Sequence, residues 1–312
     1  MLITVILFVI GLAIICIGGD KFVDNAVEVA KKLGMSEIMI GATIVSIGTT
    51  LPEVLVSTTA AFEGSTAVCA GNAYGSIICN TALIAGVGQL CRPSVGVDGK
   101  SMTWNTTLFF VFGAILCALQ LAVGAVPRYM GVALLAGFVV YTVGYVQIMR
   151  TKGQQEQSGE ETSGSVAGPL LLMAVFALAL FIGARLLVDN GILIAQAVGV
   201  PERVIAVTFI ALGTSLPELV TTISALVKGR SSLGIGNVLG ANLLNLLLVI
   251  GIPATITNGI SIERSTAVLD TPFALFVMLI LVVPFLIKKR GSRIQGALLV
   301  AIYAAYCAYN FM

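Results

Sequence analysis

Apolar residues run through this chain in long unbroken blocks rather than at the spacing of a surface helix, with short polar breaks between them. About 20 apolar residues cross a bilayer as one helix. On that measure the blocks predict ten spans, at about 2–19, 37–60, 66–91, 102–123, 129–149, 168–188, 203–226, 233–257, 269–287 and 294–311. Each must be a helix, because lipid offers no partner for an open backbone. The one long polar break, Arg150 to Ser165, is rich in Gly, Ser, Gln and Glu and reads as a flexible linker.

The blocks on either side of that linker are copies of one another at a constant offset of 165 residues. Gly18, Asp24, Asn25, Gly34 and Thr43 meet Gly183, Asp189, Asn190, Gly199 and Thr208; Gly71, Asn72, Gly75 and Asn80 meet Gly236, Asn237, Gly240 and Asn245. The predicted organisation is therefore a first five-helix repeat over 1–149, a cytoplasmic linker over 150–167 and a second repeat over 168–312. Five is odd, so the second copy enters the membrane from the opposite side. The chain reads as an all-α membrane protein whose ten transmembrane helices form two inverted five-helix repeats. Such repeats are typical of transporters, with the substrate site near mid-membrane where the copies meet.

Charge agrees with this topology. Of the 17 Lys and Arg, 13 lie in breaks after odd-numbered spans, which the positive-inside rule makes cytoplasmic, leaving both termini outside. No basic residue precedes Met1–Gly19, so that block reads as a first span rather than a cleaved signal. Charged residues make up only 10% of the chain and hydrophobic ones 58%, far from a soluble domain. There is no basic domain to suggest nucleic acid and no His for a proton relay. Cys16, Cys69, Cys79, Cys91, Cys117 and Cys307 show no pairing or metal-ligand spacing and read as small buried hydrophobes. Asp24 and Asp189 are expected in an interfacial turn, capping or pairing locally, and Trp104, Tyr129, Tyr303 and Tyr306 in interfacial belts.

The candidate chemistry lies in one motif present twice, Gly48-Thr-Thr-Leu-Pro-Glu53 and Gly213-Thr-Ser-Leu-Pro-Glu218. Each places a carboxylate inside an apolar span, at a cost of at least ~2.5–3.5 kcal/mol if charged and alone. No Lys or Arg lies between Ile38 and Gly64 or between Val204 and Val227. A transported cation is the partner that would neutralise them. Pro52 and Pro217 lack an N–H and free a carbonyl one turn back. With the hydroxyls of Thr49, Thr50, Thr214 and Ser215, each segment offers the oxygens that a hard cation such as Ca²⁺ collects six to eight at a time. Asn80 and Asn245, one span further on, add amides that can give oxygen to a metal or N–H to a carboxylate. A proline kink with a protonated glutamate in a packing seam is the plain alternative, and symmetric duplication argues against it.

Gly-Thr-(Ser/Thr)-Leu-Pro-Glu followed by Gly-Asn-x-x-Gly-(Ser/Ala)-x-x-x-Asn, twice and inverted, resembles the α-repeats of the calcium/cation antiporter superfamily, and within it the short prokaryotic Na⁺/Ca²⁺ exchangers. The resemblance implies that Glu53 and Glu218 bind Ca²⁺ with main-chain oxygens of Thr49 and Thr214. It places Na⁺ at flanking sites made by Ser46, Thr50 and Ser76 and by Ala211, through its carbonyl, and Ser215, with Asn80 and Asn245 completing the centre. It makes spans one and six long oblique helices that slide during alternating access. It implies Ca²⁺ and Na⁺ as substrates, the bilayer as surroundings, and no cofactor, nucleic acid or obligate protein partner. Three positions depart from the family pattern: Ala241 stands where Ser76 has its mate, Asn245 where some members carry Asp, and Ile77 where Asn is usual. Ca²⁺/H⁺ exchange, an ion channel and an intramembrane hydrolase remain as rival readings.

Overall fold

The computed structural model describes residues 1–94, 99–153, 165–199 and 211–311. Ten helices follow one another along these residues: α1 (Leu2–Lys32), α2 (Glu37–Phe62), α3 (Val68–Cys91), α4 (Gly99–Val123) and α5 (Arg128–Gly153), then α6 (Ala167–Ala197), α7 (Leu216–Val227), α8 (Ser231–Ile256), α9 (Thr266–Lys288) and α10 (Arg293–Phe311). Eight of them are long and apolar enough to cross a membrane. A single helical turn, Ala211–Thr214, precedes α7, and the first part of predicted span seven lies outside the described residues.

The first and sixth helices are much longer than the apolar blocks that announce them. Both run for 31 residues, to Lys32 and Ala197 rather than to 19 and 188. At about 1.5 Å per residue that is roughly 46 Å, well beyond the ~30 Å hydrocarbon core. Past Gly19 the inward face stays apolar through Phe22, Val23, Ala26, Val29 and Ala30, so the polar residues between them do not end the helix. What ends each is a left-handed glycine, Gly34 at φ +60° and Gly199 at φ +81°. Asp24 and Asp189 therefore sit inside continuous helices and not in the interfacial turn expected of them. Lys21, Lys31 and Lys32 likewise belong to α1 itself.

These two helices cross antiparallel through glycine. A Cβ on Gly11 would lie 2.9 Å from the Gly183 carbonyl, and one on Gly183 would lie 2.9 Å from Ile15 Cγ1. Behind them α8 forms the centre of the molecule, with almost every residue from Ser231 to Ile250 buried. It meets α2 backbone to backbone. A Cβ on Gly41 would come within 2.3 Å of the Leu233 carbonyl, one on Gly236 within 2.4 Å of the Ile38 carbonyl, and one on Gly240 within 2.4 Å of Ser46 Oγ. Small residues at membrane helix crossings permit this approach.

Outside the helices, Ala125–Pro127 (β1) and Gly259–Ser261 (β2) pair antiparallel, joining the α4–α5 and α8–α9 connections. Their counterparts 165 residues away, Gly291 and Ser94, are joined by a backbone hydrogen bond of 2.9 Å. Among the described residues four π-helical turns, at Gly41–Val45, Cys79–Ala85, Asn245–Ile250 and Thr266–Asp270, interrupt α2, α3, α8 and the start of α9. Nothing in the apolar pattern announces them.

Several side chains depart from their expected surroundings. Cys16 and Cys91 are exposed rather than buried, on faces of long apolar helices, while Cys69 and Cys79 are buried; all six cysteines are free. Trp104 turns inward and donates to the Tyr141 carbonyl, and Tyr306 donates to Asp270 at 2.8 Å. Tyr129 is exposed, as a belt residue would be.

The α2–α8 crossing has no room for a methyl group. Gly240→Ala is expected to destabilise the detergent-solubilised protein by about 1–3 kcal/mol through overpacking, seen as a lower melting temperature. Gly18→Ala, whose Cβ would meet its neighbours at 3.7 Å, leaves it nearly unchanged.

Candidate cation site

The two motif segments converge on the middle of this crossing, and their carboxylates are fully buried: Glu53 and Glu218 are both 0% exposed. They reach that position by different local routes. Pro52 is carried inside a helix that runs unbroken from Ser46 to Phe62. In the second copy the chain turns at Ser215, and Pro217 falls in the first turn of α7, where a missing N–H costs nothing. The proline opening anticipated for both copies is thus realised as a break only in the second.

Around the carboxylates the halves exchange hydrogen bonds. Thr49 Oγ1 donates to Asn237 Oδ1 at 3.2 Å, and at the position related by the 165-residue offset Thr214 Oγ1 donates to Asn72 Oδ1 over a long 3.5 Å. Each asparagine then returns toward the glutamate of its own half. Asn72 Nδ2 donates to the Glu53 carbonyl at 3.1 Å and to Ser57 Oγ at 2.9 Å. Asn237 Nδ2 donates to Thr221 Oγ1 at 3.0 Å, and that hydroxyl donates to the Pro217 carbonyl at 2.7 Å. The Thr49 and Thr214 side chains are committed to this lattice, so their main-chain oxygens are what they can still offer. Asn72 and Asn237 were visible in the repeated Gly-Asn pair, but only the fold shows each one bridging to the opposite half.

Next to this lattice the two halves differ. Thr50 Oγ1 donates to Glu218 Oε1 at 3.3 Å, whereas its counterpart Ser215 donates to Ser76 Oγ at 3.4 Å. Ser76 has Ala241 as its mate, so Thr50 has no equivalent hydroxyl to meet and turns to the carboxylate instead. Ser46, fully buried, donates to the Thr43 carbonyl at 3.0 Å, and Ala211 opens the turn before Ser215.

What remains is a concentration of polar atoms with no partner. Both oxygens of Glu53, Oε2 of Glu218, and both side-chain polar atoms of Asn80 and of Asn245 are buried without a hydrogen bond. Leaving one such group unsatisfied costs about 1–3 kcal/mol, more for a charged one, so native proteins carry few. Asn80 and Asn245 both stand in π-helical turns, at equivalent places in α3 and α8. Such turns recur at functional sites. Among the described residues no group of three or more His, Cys, Asp or Glu assembles, and no ion pair reaches either glutamate. Two carboxylates amid neutral hydroxyl, amide and carbonyl oxygens form a donor set for hard cations, Ca²⁺ and Na⁺ rather than soft transition metals.

One further residue supports the site from outside the motifs. The Tyr141 hydroxyl donates to the Ala42 carbonyl, inside the π-helical turn that leads to Ser46, and accepts from Asn105 Nδ2 at 3.3 Å. No motif pointed to it, because its role depends on where α5 packs.

Both halves of the chain resemble known proteins. Two stretches, residues 3–147 and 168–312, match the family described as sodium/calcium exchanger protein. The chain is 30% identical to sodium/calcium exchanger MaX1 of Methanosarcina acetivorans over 98% of both chains. It is 33% identical to inner membrane protein YrbG of Escherichia coli over 83% of this chain and 82% of that one. Among solved structures, the sodium-calcium exchanger NCX_Mj soaked with 2.5 mM Na⁺ and 10 mM Sr²⁺ superposes with a TM-score of 0.83 at 27% identity over 98% of each chain. The same exchanger soaked with zero Na⁺ and Ca²⁺ gives 0.82 at 27% identity over 99% of each. With both halves matched and a curated exchanger similar over nearly its full length, this chain belongs to the sodium/calcium exchanger protein family.

Proposed function

We propose that this chain is a secondary-active antiporter that exchanges Ca²⁺ for Na⁺ across a membrane by alternating access. The observation that carries the reading is the pair of fully buried glutamates, one from each half, with three of their four oxygens unpartnered and no basic residue beside them. One Ca²⁺ cancels both charges. Without any cation the ionised pair would have to be carried through the switch in low dielectric, which is strongly unfavourable. A carrier that cannot switch empty can only exchange, and this is what couples the two fluxes.

In this reading Glu53 and Glu218 grip the divalent ion together with main-chain oxygens of Thr49 and Thr214, while Asn80 and Asn245 close the centre. Na⁺ occupies flanking positions built from Ser46, Thr50, Ser76, Ser215 and the carbonyl of Ala211. The lattice through Asn72 and Asn237 holds the two half-sites in register. The distribution of Lys and Arg supports both termini facing outward and the linker facing the cytoplasm. No cofactor and no enzymatic step belong to the cycle.

Proteoliposomes give the direct test: an imposed Na⁺ gradient drives ⁴⁵Ca²⁺ uptake, and a pH gradient alone does not. Flux driven by the pH gradient instead would make this a Ca²⁺/H⁺ exchanger. Glu53→Gln and Glu218→Gln each remove one anionic ligand and are expected to abolish this flux while the protein still elutes as a folded species. Transport surviving in either variant would refute the site. Ser76→Ala deletes a hydroxyl of one flank at a net cost of about 1 kcal/mol, which corresponds to roughly a fivefold rise in the Na⁺ concentration for half-maximal exchange. Its effect on Ca²⁺ should be smaller.

A further inference from the structure

Away from the buried site, a cluster of ion pairs ties α1 to the end of α7, with Lys21 also 4.0 Å from Asp24 Oδ2. Lys228 caps α7 and its Nζ lies 2.7 Å from Asp20 Oδ1 and 2.5 Å from Asp24 Oδ1. It also donates to the Asp20 carbonyl at 2.8 Å. Partial burial pulls its amine down, but the hydrogen bonds to the two carboxylates outweigh this and hold the group above its ordinary pKa. The helices are in contact beneath the ion pair, where a Cβ on Gly19 would lie 2.5 Å from Val220 Cγ1. The seal therefore joins the long first helix to the element that carries Glu218 in its first turn.

The 165-residue offset gives this seal a mirror image on the opposite membrane face, with its charges exchanged. Lys228 maps onto Glu63, which caps α2, and Asp20 maps onto Arg185 of α6. An acid now stands at the end of the motif helix and a base on the long helix. Neither has an ion pair: Glu63 and Arg185 appear in no salt bridge among the described residues, and Arg185 lies over the Phe181 ring at 5.9 Å. The helices below them meet at Gly48, where a Cβ would lie 3.8 Å from Ala177 Cβ. Beside that contact runs an apolar groove of about 320 Å³ lined by Leu51 and Leu55 of α2, Ala174 and Phe181 of α6 and Phe22 of α1. One end of the molecule is latched by ion pairs, and the charges at its mirror form none among the described residues.

We propose that Lys228 with Asp20 and Asp24, and Glu63 with Arg185, are two alternating latches, each closing one membrane face while the other face is open. This rests on the alternating-access reading above, though not on which ions are carried. In an inverted repeat, the opposite-facing state is reached when each half adopts the conformation its twin now holds. Carried over, that exchange frees Lys228 and brings Glu63 onto Arg185. The latches are unequal. The first has two acids around one lysine, whereas the mirror of Asp24 is Asp189, a like charge beside Glu63 that weakens the second. The chain in the absence of bound ions accordingly rests with the Lys228 latch closed.

A proximity measurement on the full chain in lipid nanodiscs tests this. Glu63→Cys and Arg185→Cys are introduced together, treated with a short bismaleimide, and the 63–185 linked peptide is quantified by mass spectrometry, which sets it apart from links to native cysteines. The linked fraction is expected to be low with Lys228 present, to rise at least about threefold with Lys228→Gln, and to stay low with Lys228→Arg. Asp20→Asn breaks the same latch from the other partner and should give the same rise. A 63–185 link that never forms, or that forms equally in all four backgrounds, overturns the proposal. No transported ion enters this readout, so failure of ⁴⁵Ca²⁺ exchange with the cross-linking pattern intact would refute the choice of ion and leave the latches standing.

Discussion

Two carboxylates held out of water with no cation of the protein's own beside them are the constraint that the rest of this molecule answers to. A charge in hydrocarbon is costly, and the cost can be met by a basic residue, by protonation, or by an ion from solution. The chain supplies no base within either motif segment. It supplies instead a shell of neutral oxygens, several of them bonded to one another between the two halves. Thr49 with Asn237 and Thr214 with Asn72 hold that shell from opposite halves, so neither half-site can shift without straining the other.

Close packing makes such a shell possible. Because α8 meets α2 through Gly236 and Gly240, backbone carbonyls and hydroxyls come within reach that a methyl group would deny. The π-helical turns at Asn80 and Asn245 act in the same place by a different means, interrupting the regular hydrogen-bond ladder where the unpartnered amides stand. Buried polar groups left in this condition are expensive, and the rigid surroundings prevent them from relaxing onto one another.

Symmetry sets the plan, and small departures from it give the two halves different roles. Ser76 facing Ser215, against Ala241 in the mirror position, leaves Thr50 to bond a carboxylate while Ser215 bonds a neutral hydroxyl. Pro52 rides inside a continuous helix, and Pro217 starts a new one after the turn at Ser215. The long helices α1 and α6 cross each other through Gly11 and Gly183, yet α1 is tied to α7 by Lys228 while Arg185 of α6 makes no ion pair with Glu63 of the α2 end among the described residues. Two halves alike in sequence thus hold different conformations, as an inverted repeat caught on one side of its cycle must.

Much of this was legible before any fold was known. While residues 154–164 of the predicted linker lie outside the described residues, membrane length is read from consecutive apolar residues, so the helix count and the duplication were available from residue order alone. So were Glu53 and Glu218, because an acid inside an apolar block with no base nearby is anomalous wherever the helix packs. Helix ends were not. Hydropathy stops at Gly19, but the helix runs on to Lys32, because buried Phe22, Ala26 and Val29 carry it past the apolar block and only the left-handed Gly34 halts it. The Asn72 and Asn237 bridges, the Tyr141 support for Ala42 and the π-helical turns were equally hidden. Each depends on which residue of a distant helix stands opposite, and a hydrogen bond formed between segments 142 or 188 positions apart leaves no periodic trace in either of them. Residue order determined the two halves, their inversion and the acids they bury; only packing decided which atoms were satisfied across the crossing and which were left without a partner.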